Sequence, residues 1–168
     1  MYLPATTTVL RTLVEDRVLP GPHTVFAVTP ELRRFYEVSD AEADQEELEY
    51  AALLAAARAS LRLIDIDPGA ARRRVVVAAD VPDTAVTPLD DPDTDRGAAR
   101  AESDIRVTDV ASAHIDGADA EDDVRAAVGV VLEADLGSDD AQFVVDQAEG
   151  HELAWYATQE IGPAIDLL

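Results

Sequence analysis

The spacing of apolar positions predicts strands and helices in alternation along the chain. Val75–Ala79 is a continuous apolar run, which is typical of an interior strand covered on both faces. Apolar residues recur at helical spacing among many alanines between residues 44 and 63, which predicts a long core helix. Further strands are predicted at 2–5, 24–28 and 105–115, and further helices at 6–17, 29–38, 118–134, 139–148 and 151–160.

Threonines stand where two of the predicted helices begin. The first strand is followed by three N-cap candidates, Thr6 to Thr8, and Thr29 precedes Pro30, a residue favoured at the first helical position. Strands that alternate with helices imply crossover connections. We therefore expect a single α/β domain over residues 1–168, with a four-stranded, mostly parallel or mixed sheet packed by about five helices. Residues 82–103 carry three prolines and many aspartates and are predicted as a long acidic loop.

The charge of the chain excludes some classes of binding partner. Its 168 residues include 35 acids and 13 basic residues, all of them arginine, for a net charge of -22. Residues 85–168 carry 21 of the acids and four of the arginines. Because such a surface repels phosphate backbones and anionic lipid headgroups, we expect neither nucleic acid nor a membrane as a partner. Without lysine, Schiff-base chemistry and a P-loop lysine are excluded.

The absence of cysteine excludes disulfides, thiol nucleophiles and thiolate metal sites. No segment has the pattern of a secretory signal, and no apolar run is long enough to span a bilayer, so we expect a cytoplasmic location. Glycine-rich phosphate loops and the serine-hydrolase elbow G-x-S-x-G are also missing. We expect no resident metal or cofactor.

Five polar residues form a candidate ligand site under the expected topology. In an open α/β sheet, ligands bind at the carboxyl ends of the strands, and on our assignment those ends hold Thr6, Thr29, Asp80, His114 and Asp116. His114 and Asp116 are two residues apart, so a strand would place both on one face, where a carboxylate could fix the imidazole tautomer. The alternative is that these residues have structural roles: Thr6 and Thr29 cap helices, Asp80 ends a strand, and His114 is a surface residue.

An EF-hand-like spacing of acids occurs within Asp91–Glu102. Acids fall at loop positions 1, 3, 5 and 12, but the glycine stands at position 7 instead of 6, and prolines interrupt the stretch where a preceding helix is needed. Chance spacing in an acidic chain is the simpler explanation.

Two further motifs have ordinary structural explanations. His151–Trp155 begins like the zincin motif H-E-x-x-H, but Trp155 occupies the position of the second histidine, so a metalloprotease is not supported. The segment is expected to pack through Leu153, Trp155 or Tyr156 in the core; alternatively, Trp155 and Tyr156 contact a partner. The cluster Arg72–Arg74 could bind a phosphate or carboxylate, but such a run more often precedes a buried strand as a solvated flank.

Five segments carry a resemblance to a known family: Tyr2–Thr6, Phe26–Pro30, Glu46–Ala52, Arg74–Pro82 and His151–Tyr156. Through them the chain resembles a small family of uncharacterised proteins from high-GC actinobacteria. The resemblance implies a cytoplasmic bacterial protein, and it offers no catalytic residue to carry over.

Two functions from different classes fit the sequence. The first is a non-catalytic interaction or regulatory module whose acidic C-terminal half faces solvent or a basic protein partner. The second is a small-molecule binder or enzyme with its site at the strand ends. Convergent polar groups in a pocket beside Asp80 would favour the second.

Overall fold

The computed structural model of the chain describes residues 1–39, 45–89 and 95–168. Its helices are α1 (Thr7–Asp16), α2 (Pro30–Ser39), α3 (Gln45–Ile66), α4 (Glu121–Val128), α5 (Val131–Asp135), α6 (Asp139–Glu149) and α7 (Ile161–Asp166). Its strands are β1 (Tyr2–Ala5), β2 (Val18–Leu19), β3 (His23–Phe26), β4 (Val75–Ala79), β5 (Val86–Pro88), β6 (Ala98–Ala101), β7 (Ile105–Arg106), β8 (Val110–Asp116) and β9 (Leu153–Ala157).

Seven of these strands form one sheet, in the order β5-β6-β3-β1-β4-β8-β9, and β2 pairs with β7 in a second, two-stranded sheet. Every pair of neighbours is antiparallel. The fold is α/β, but the prediction of a four-stranded, mostly parallel or mixed sheet packed by about five helices is wrong. The described residues contain seven strands in the main sheet and seven α-helices.

The direction of the strands has a simple origin. β3 and β4 are joined through α2 and α3, and they run parallel to each other, as a helical crossover predicts. They are not neighbours, however, because β1 lies between them and is antiparallel to both. The alternation of elements along the sequence therefore gave the relative direction of β3 and β4 correctly without revealing which strand separates them.

Several elements differ from the sequence-based expectation. The predicted helix at 151–160 contains β9, which pairs with β8 along its whole length. Residues 82–103, predicted as a long acidic loop, contain β5 and β6, while 90–94 lie outside the described residues. The predicted helix at 118–134 is divided into α4 and α5 around Gly129.

The core occupies both faces of the sheet. Val75 and Val77 of β4 pack in a cluster with Leu10 of α1 and Ile161 of α7, whereas Val76, on the opposite face, packs against α3. The α3 residues of that layer include the buried alanines Ala52, Ala56 and Ala57, whose small side chains allow the helix to approach the strands closely. A third cluster joins the end of α3 to α4, α5 and α6.

Candidate functional site

Thr6 is the N-cap of α1, as the sequence predicted. Its Oγ1 accepts a hydrogen bond from the backbone N–H of Val9 at 3.2 Å and donates one to Asp67 Oδ2 at 2.7 Å. The hydrogen bond from Thr6 is the main cause that lowers the pKa of Asp67 below its usual range, with smaller contributions from Thr8 and from the N–H groups of Gly69 and Ala70; partial burial acts in the opposite direction. The buried hydroxyl of Thr6 is therefore engaged in holding the helix start.

Thr29 has the same role at the start of α2. Its Oγ1 accepts from the backbone N–H of Leu32 at 3.1 Å and donates to the carbonyl oxygen of Arg96. Thr29 is buried, and both contacts are within the protein. The hydroxyl joins α2 to the segment that leads into β6.

Asp80 and His114 differ in their surroundings. Asp80 follows β4, is exposed, and donates its backbone N–H to the carbonyl of Asp109 at 2.8 Å. His114 lies in the middle of β8 and is partly buried, with Nε2 at 3.4 Å from the hydroxyl of Ser112. Burial lowers the pKa of His114 below its usual value. Asp116 does not orient this imidazole, because its carboxylate is bound elsewhere.

Asp116 is paired with Arg74 in the interior. Oδ2 accepts from the Nε and the backbone N–H of Arg74 at 2.8 Å and 2.7 Å, and Oδ1 accepts from Nη2 at 2.7 Å. The other two residues of the arginine cluster are also engaged. Arg72 donates to the carbonyl of Ile64 at 3.0 Å, and Arg73 contacts Glu121 at 2.8 Å. These three arginines thus make internal contacts that anchor the start of β4.

The strand register places the five predicted residues at different ends of the sheet. Ala5 pairs with Val75 and Tyr2 pairs with Ala78, so Thr6 and Asp80 follow the opposite ends of an antiparallel pair. They are separated by about 20 Å along the strands, at about 3.4 Å per residue. Thr6 and Asp116 lie at one end, Thr29 and Asp80 at the other, and His114 in between. The structure does not gather them into one site, and ligand binding by any of them stays a prediction.

The other motifs can be placed as far as the described residues reach. Within Asp91–Glu102, residues 91–94 lie outside the described residues, and Glu102 forms an ion pair with Arg100 at 2.6 Å. In the part of the chain that the structure describes, no group of three or more His, Asp or Glu side chains is arranged to hold a metal ion. His151 and Glu152 precede β9 and are not on a helix, so the zincin-like spacing has no structural counterpart.

A cavity of about 780 Å³ opens between α3, α5 and the sheet. Of the described residues, four with charged side chains line it: Arg58, Arg62, Asp95 and Asp135. Its remaining lining is mostly apolar: Pro4, Thr24, Phe26, Ala59, Leu63, Leu89, Ala98 and Ala134. Ion pairs with Arg62 and then Arg58 keep the pKa of Asp135 below its usual range although burial opposes this. The arginines were not among the candidates from the sequence, since their spacing of four residues is ordinary for a helix.

β9 is the outer strand of the sheet, and the direction of its peptide groups follows from its neighbours. Asp116 of β8 donates its backbone N–H to Arg74, on the β4 side, at 3.1 Å. Because peptide groups alternate in direction along a strand, Ile115 faces β9, where its partner is Ala154. Ala154 therefore bonds to β8, and the N–H and C=O of the next residue, Trp155, point outward.

A second hydrogen bond supports this assignment. Ala157 donates its backbone N–H to Glu160 Oε2 at 2.9 Å instead of to β8. Trp155 and Leu153 are two and four residues away, so their peptide groups share the outward direction of Ala157. No hydrogen bond from elsewhere in the described chain reaches the peptide groups of Leu153 or Trp155.

The side chains of β9 also distinguish this edge. Trp155 is 60% exposed and lies opposite His114 on the face that α3 partly covers. The strand Leu153–Ala157 contains neither a charged residue nor a proline, whereas the strand at the other edge of the sheet, β5, contains Pro88, which has no N–H to donate. Edge strands in proteins are normally protected by charges, prolines or covering segments, because an unprotected edge can pair with another chain.

Comparison with known proteins identifies the family of the chain but no activity. The model of a family described as "Family of unknown function (DUF6912)" matches residues 1–165. Neither the curated proteins nor the solved structures yield a match. Among the described residues, no helix combines the length and apolarity that crossing a membrane requires.

Proposed function

The chain belongs to a family of unknown function, DUF6912, and we propose that it is a non-catalytic interaction module that binds an extended, basic segment of a partner protein. The partner segment adds to the sheet as a further strand along the outer edge of β9. The observation that carries this proposal is the outward direction of the peptide groups of Leu153 and Trp155, beside an exposed Trp155 side chain.

The backbone of β9 supplies the affinity in this mode of binding. Each outward N–H and C=O exchanges a hydrogen bond with water for one with the added strand, and each such bond contributes about 0.5–1.5 kcal/mol net. The indole of Trp155 adds apolar contact area without the entropy cost of ordering a long flexible side chain. The edge and the aromatic residue together give a short segment both orientation and affinity.

The charge of the chain selects the partner. From residue 107 to the C-terminus there are 15 acids and one arginine, Arg125. Two exposed glutamates, Glu152 and Glu160, lie before and after β9 along the chain. Lysine or arginine at alternate positions of the partner would pair with these acids, and one above Trp155 would gain a cation–π interaction.

A second copy of the chain is the less favoured occupant. Antiparallel pairing of two β9 strands would satisfy the same peptide groups, but it would bring together two molecules that each carry a net charge of -22. The proposal therefore commits to a basic partner, and self-association is an outcome that the test must distinguish.

A short peptide of alternating arginine and valine tests the proposal. Trp155 is the only tryptophan, so its emission reports directly on the β9 edge. We expect saturable binding with a blue shift of the emission and reduced quenching by acrylamide, and weaker binding as salt is added. A peptide of the same composition with N-methyl groups on alternate residues, which removes the donors facing β9, should not bind.

Two aromatic variants form a matched pair for the same experiment. With a fluorescently labelled peptide, Trp155→Ala should weaken binding at least about fivefold, which is the effect of losing roughly 1 kcal/mol. Phe143→Ala removes another exposed aromatic side chain, on α6, and should leave the affinity unchanged. Equal binding of the N-methylated peptide, or sedimentation that shows a dimer with Trp155 protected, would refute the proposal.

A further inference from the structure

Arg62 lines the cavity beside α3, and one edge of its guanidinium group has no partner among the residues that the structure describes. Its Nε donates to Asp135 Oδ2 at 2.6 Å and its Nη2 to Asp135 Oδ1 at 3.0 Å. A guanidinium has two edges that each match an oxyanion, one formed by Nε with an Nη and one formed by both Nη atoms. Asp135 binds the edge formed by Nε and Nη2. At the edge formed by both Nη atoms, Nη1 donates to no described residue. The Arg62 side chain is 33% exposed.

Arg58, one helical turn earlier, makes four hydrogen bonds within the protein. It donates to Asp135 through Nε and Nη2, to Glu149 through Nη1 at 2.8 Å, and to Gln142 through Nη2 at 2.9 Å. Its contacts fix Asp135, which in turn fixes Arg62. The free edge of Arg62 is therefore held in place before any ligand arrives, and little side-chain entropy is lost on binding.

The cavity combines this donor with an apolar interior. Among the described residues, two arginines and two aspartates line it, whereas the whole chain carries a net charge of -22. The apolar lining, which includes Phe26 and Leu63, and the volume of about 780 Å³ suit a small organic molecule.

We propose that this cavity binds a small molecule that carries an oxyanion head group, carboxylate or phosphate, on an apolar body. The unpaired edge of Arg62 binds the head group, and the apolar lining contacts the body. Asp135 does not favour a cation, because it already accepts hydrogen bonds from both arginines. Trp155 does not line the cavity, so this site is separate from the β9 edge.

Three aromatic compounds of similar size test the head group. Benzoate and phenyl phosphate carry the two oxyanions, and benzyl alcohol is the neutral counterpart. Binding is followed by the backbone amide shifts of Thr24 and Ala98 in the labelled protein. We expect at least one of the two anions to bind saturably and about tenfold or more tightly than benzyl alcohol, as hydrogen bonds to a charged group require. Which anion binds more tightly identifies the head group.

Variants separate the role of Arg62 from general effects of charge and stability. Arg62→Gln should weaken binding of the anion about tenfold or more, while Arg125→Gln, which removes an exposed arginine on α4, should not. Ala59→Leu fills the cavity without changing a charge, so it should block binding even if Arg62→Gln lowers stability. The proposal is overturned if neither anion binds saturably, if benzyl alcohol binds equally well, or if Ala59→Leu binds like the wild type.

Discussion

Arg74 and Asp116 meet in the interior through two parallel hydrogen bonds, from Nε to Oδ2 at 2.8 Å and from Nη2 to Oδ1 at 2.7 Å. Their side chains are 1% and 0% exposed. Nη2 of Arg74 also donates to the carbonyl of His151, in the turn before β9, at 2.8 Å. The pair therefore connects β4, β8 and the approach to β9, and it fixes the strand that presents Trp155.

Breaking this pair should be costly. Asp116→Ala leaves Arg74 charged and buried without its partner, which typically costs about 3–5 kcal/mol in the free energy of unfolding. Urea denaturation measures this loss. Asp122→Ala breaks the exposed pair with Arg125 and should cost less than about 1 kcal/mol. Equal losses in the two variants would show that the Arg74–Asp116 pair contributes no more than a surface contact.

Stability should decrease in mild acid because of His114. Burial lowers the pKa of His114 in the folded chain, and unfolding restores the ordinary value of about 6.5. The unfolded state therefore binds the proton more readily, so this contribution is fully present above about pH 6.5 and is lost as the pH falls toward the folded-state pKa.

The pH dependence of the free energy of unfolding tests this in two histidine variants. His114→Gln should flatten the dependence below about pH 6.5, the ordinary histidine pKa. His23→Gln should retain the contribution of His114. An unchanged slope in His114→Gln would contradict the assignment.

Proline substitutions in β9 should distinguish the two directions of its peptide groups. Ala154→Pro removes an N–H that bonds to β8, whereas Trp155→Pro removes one that faces outward. Trp155→Ala corrects for the loss of the indole. The backbone effect at position 155 is the difference in the free energy of unfolding between Trp155→Pro and Trp155→Ala. We expect Ala154→Pro to lower the free energy of unfolding by about 1 kcal/mol or more beyond that difference. If that difference equals the cost of Ala154→Pro in urea denaturation, both N–H groups contribute alike and the outward assignment fails.

Two glycines should respond oppositely to alanine. Gly137 has a φ of +92° with nothing within 4 Å of an added Cβ, so Gly137→Ala introduces conformational strain of about 1–2 kcal/mol. Gly129 has a φ of -69°, and an added Cβ would lie at an ordinary 3.6 Å from the carbonyl oxygen of Ala126. Gly129→Ala should be neutral or stabilising by up to about 1 kcal/mol. Thermal denaturation of both variants checks this, and similar effects would contradict it.

The sequence was sufficient where a local pattern determines the element. The apolar run at Val75–Ala79 predicted β4, the helical spacing predicted α1 and α3, and the threonine caps at Thr6 and Thr29 are confirmed. Each of these features depends on residues within a few positions of one another, and for that reason each was visible in the sequence.

Features that depend on residues far apart along the chain could not be predicted from the sequence. The insertion of β1 between β3 and β4 replaces the expected parallel pair by two antiparallel ones, and nothing within β1 indicates its neighbours. Residues 153–157 form a short apolar run that fits a helix or a strand equally well, and pairing with β8 decides between them. The ion pair of Arg74 with Asp116 joins residues 42 positions apart, so the expected pairing of Asp116 with His114 missed it.

Amide hydrogen exchange along β9, measured with and without the alternating arginine–valine peptide, tests the central claim most directly. In the free protein, the amides of Leu153 and Trp155 should exchange quickly, while those of Ala154 and Tyr156 are protected by β8. The peptide should slow exchange at Leu153 and Trp155 and change it little at the other two. Exchange at Leu153 and Trp155 that is already slow in the free protein, or that the bound peptide leaves unchanged, would contradict strand addition at this edge.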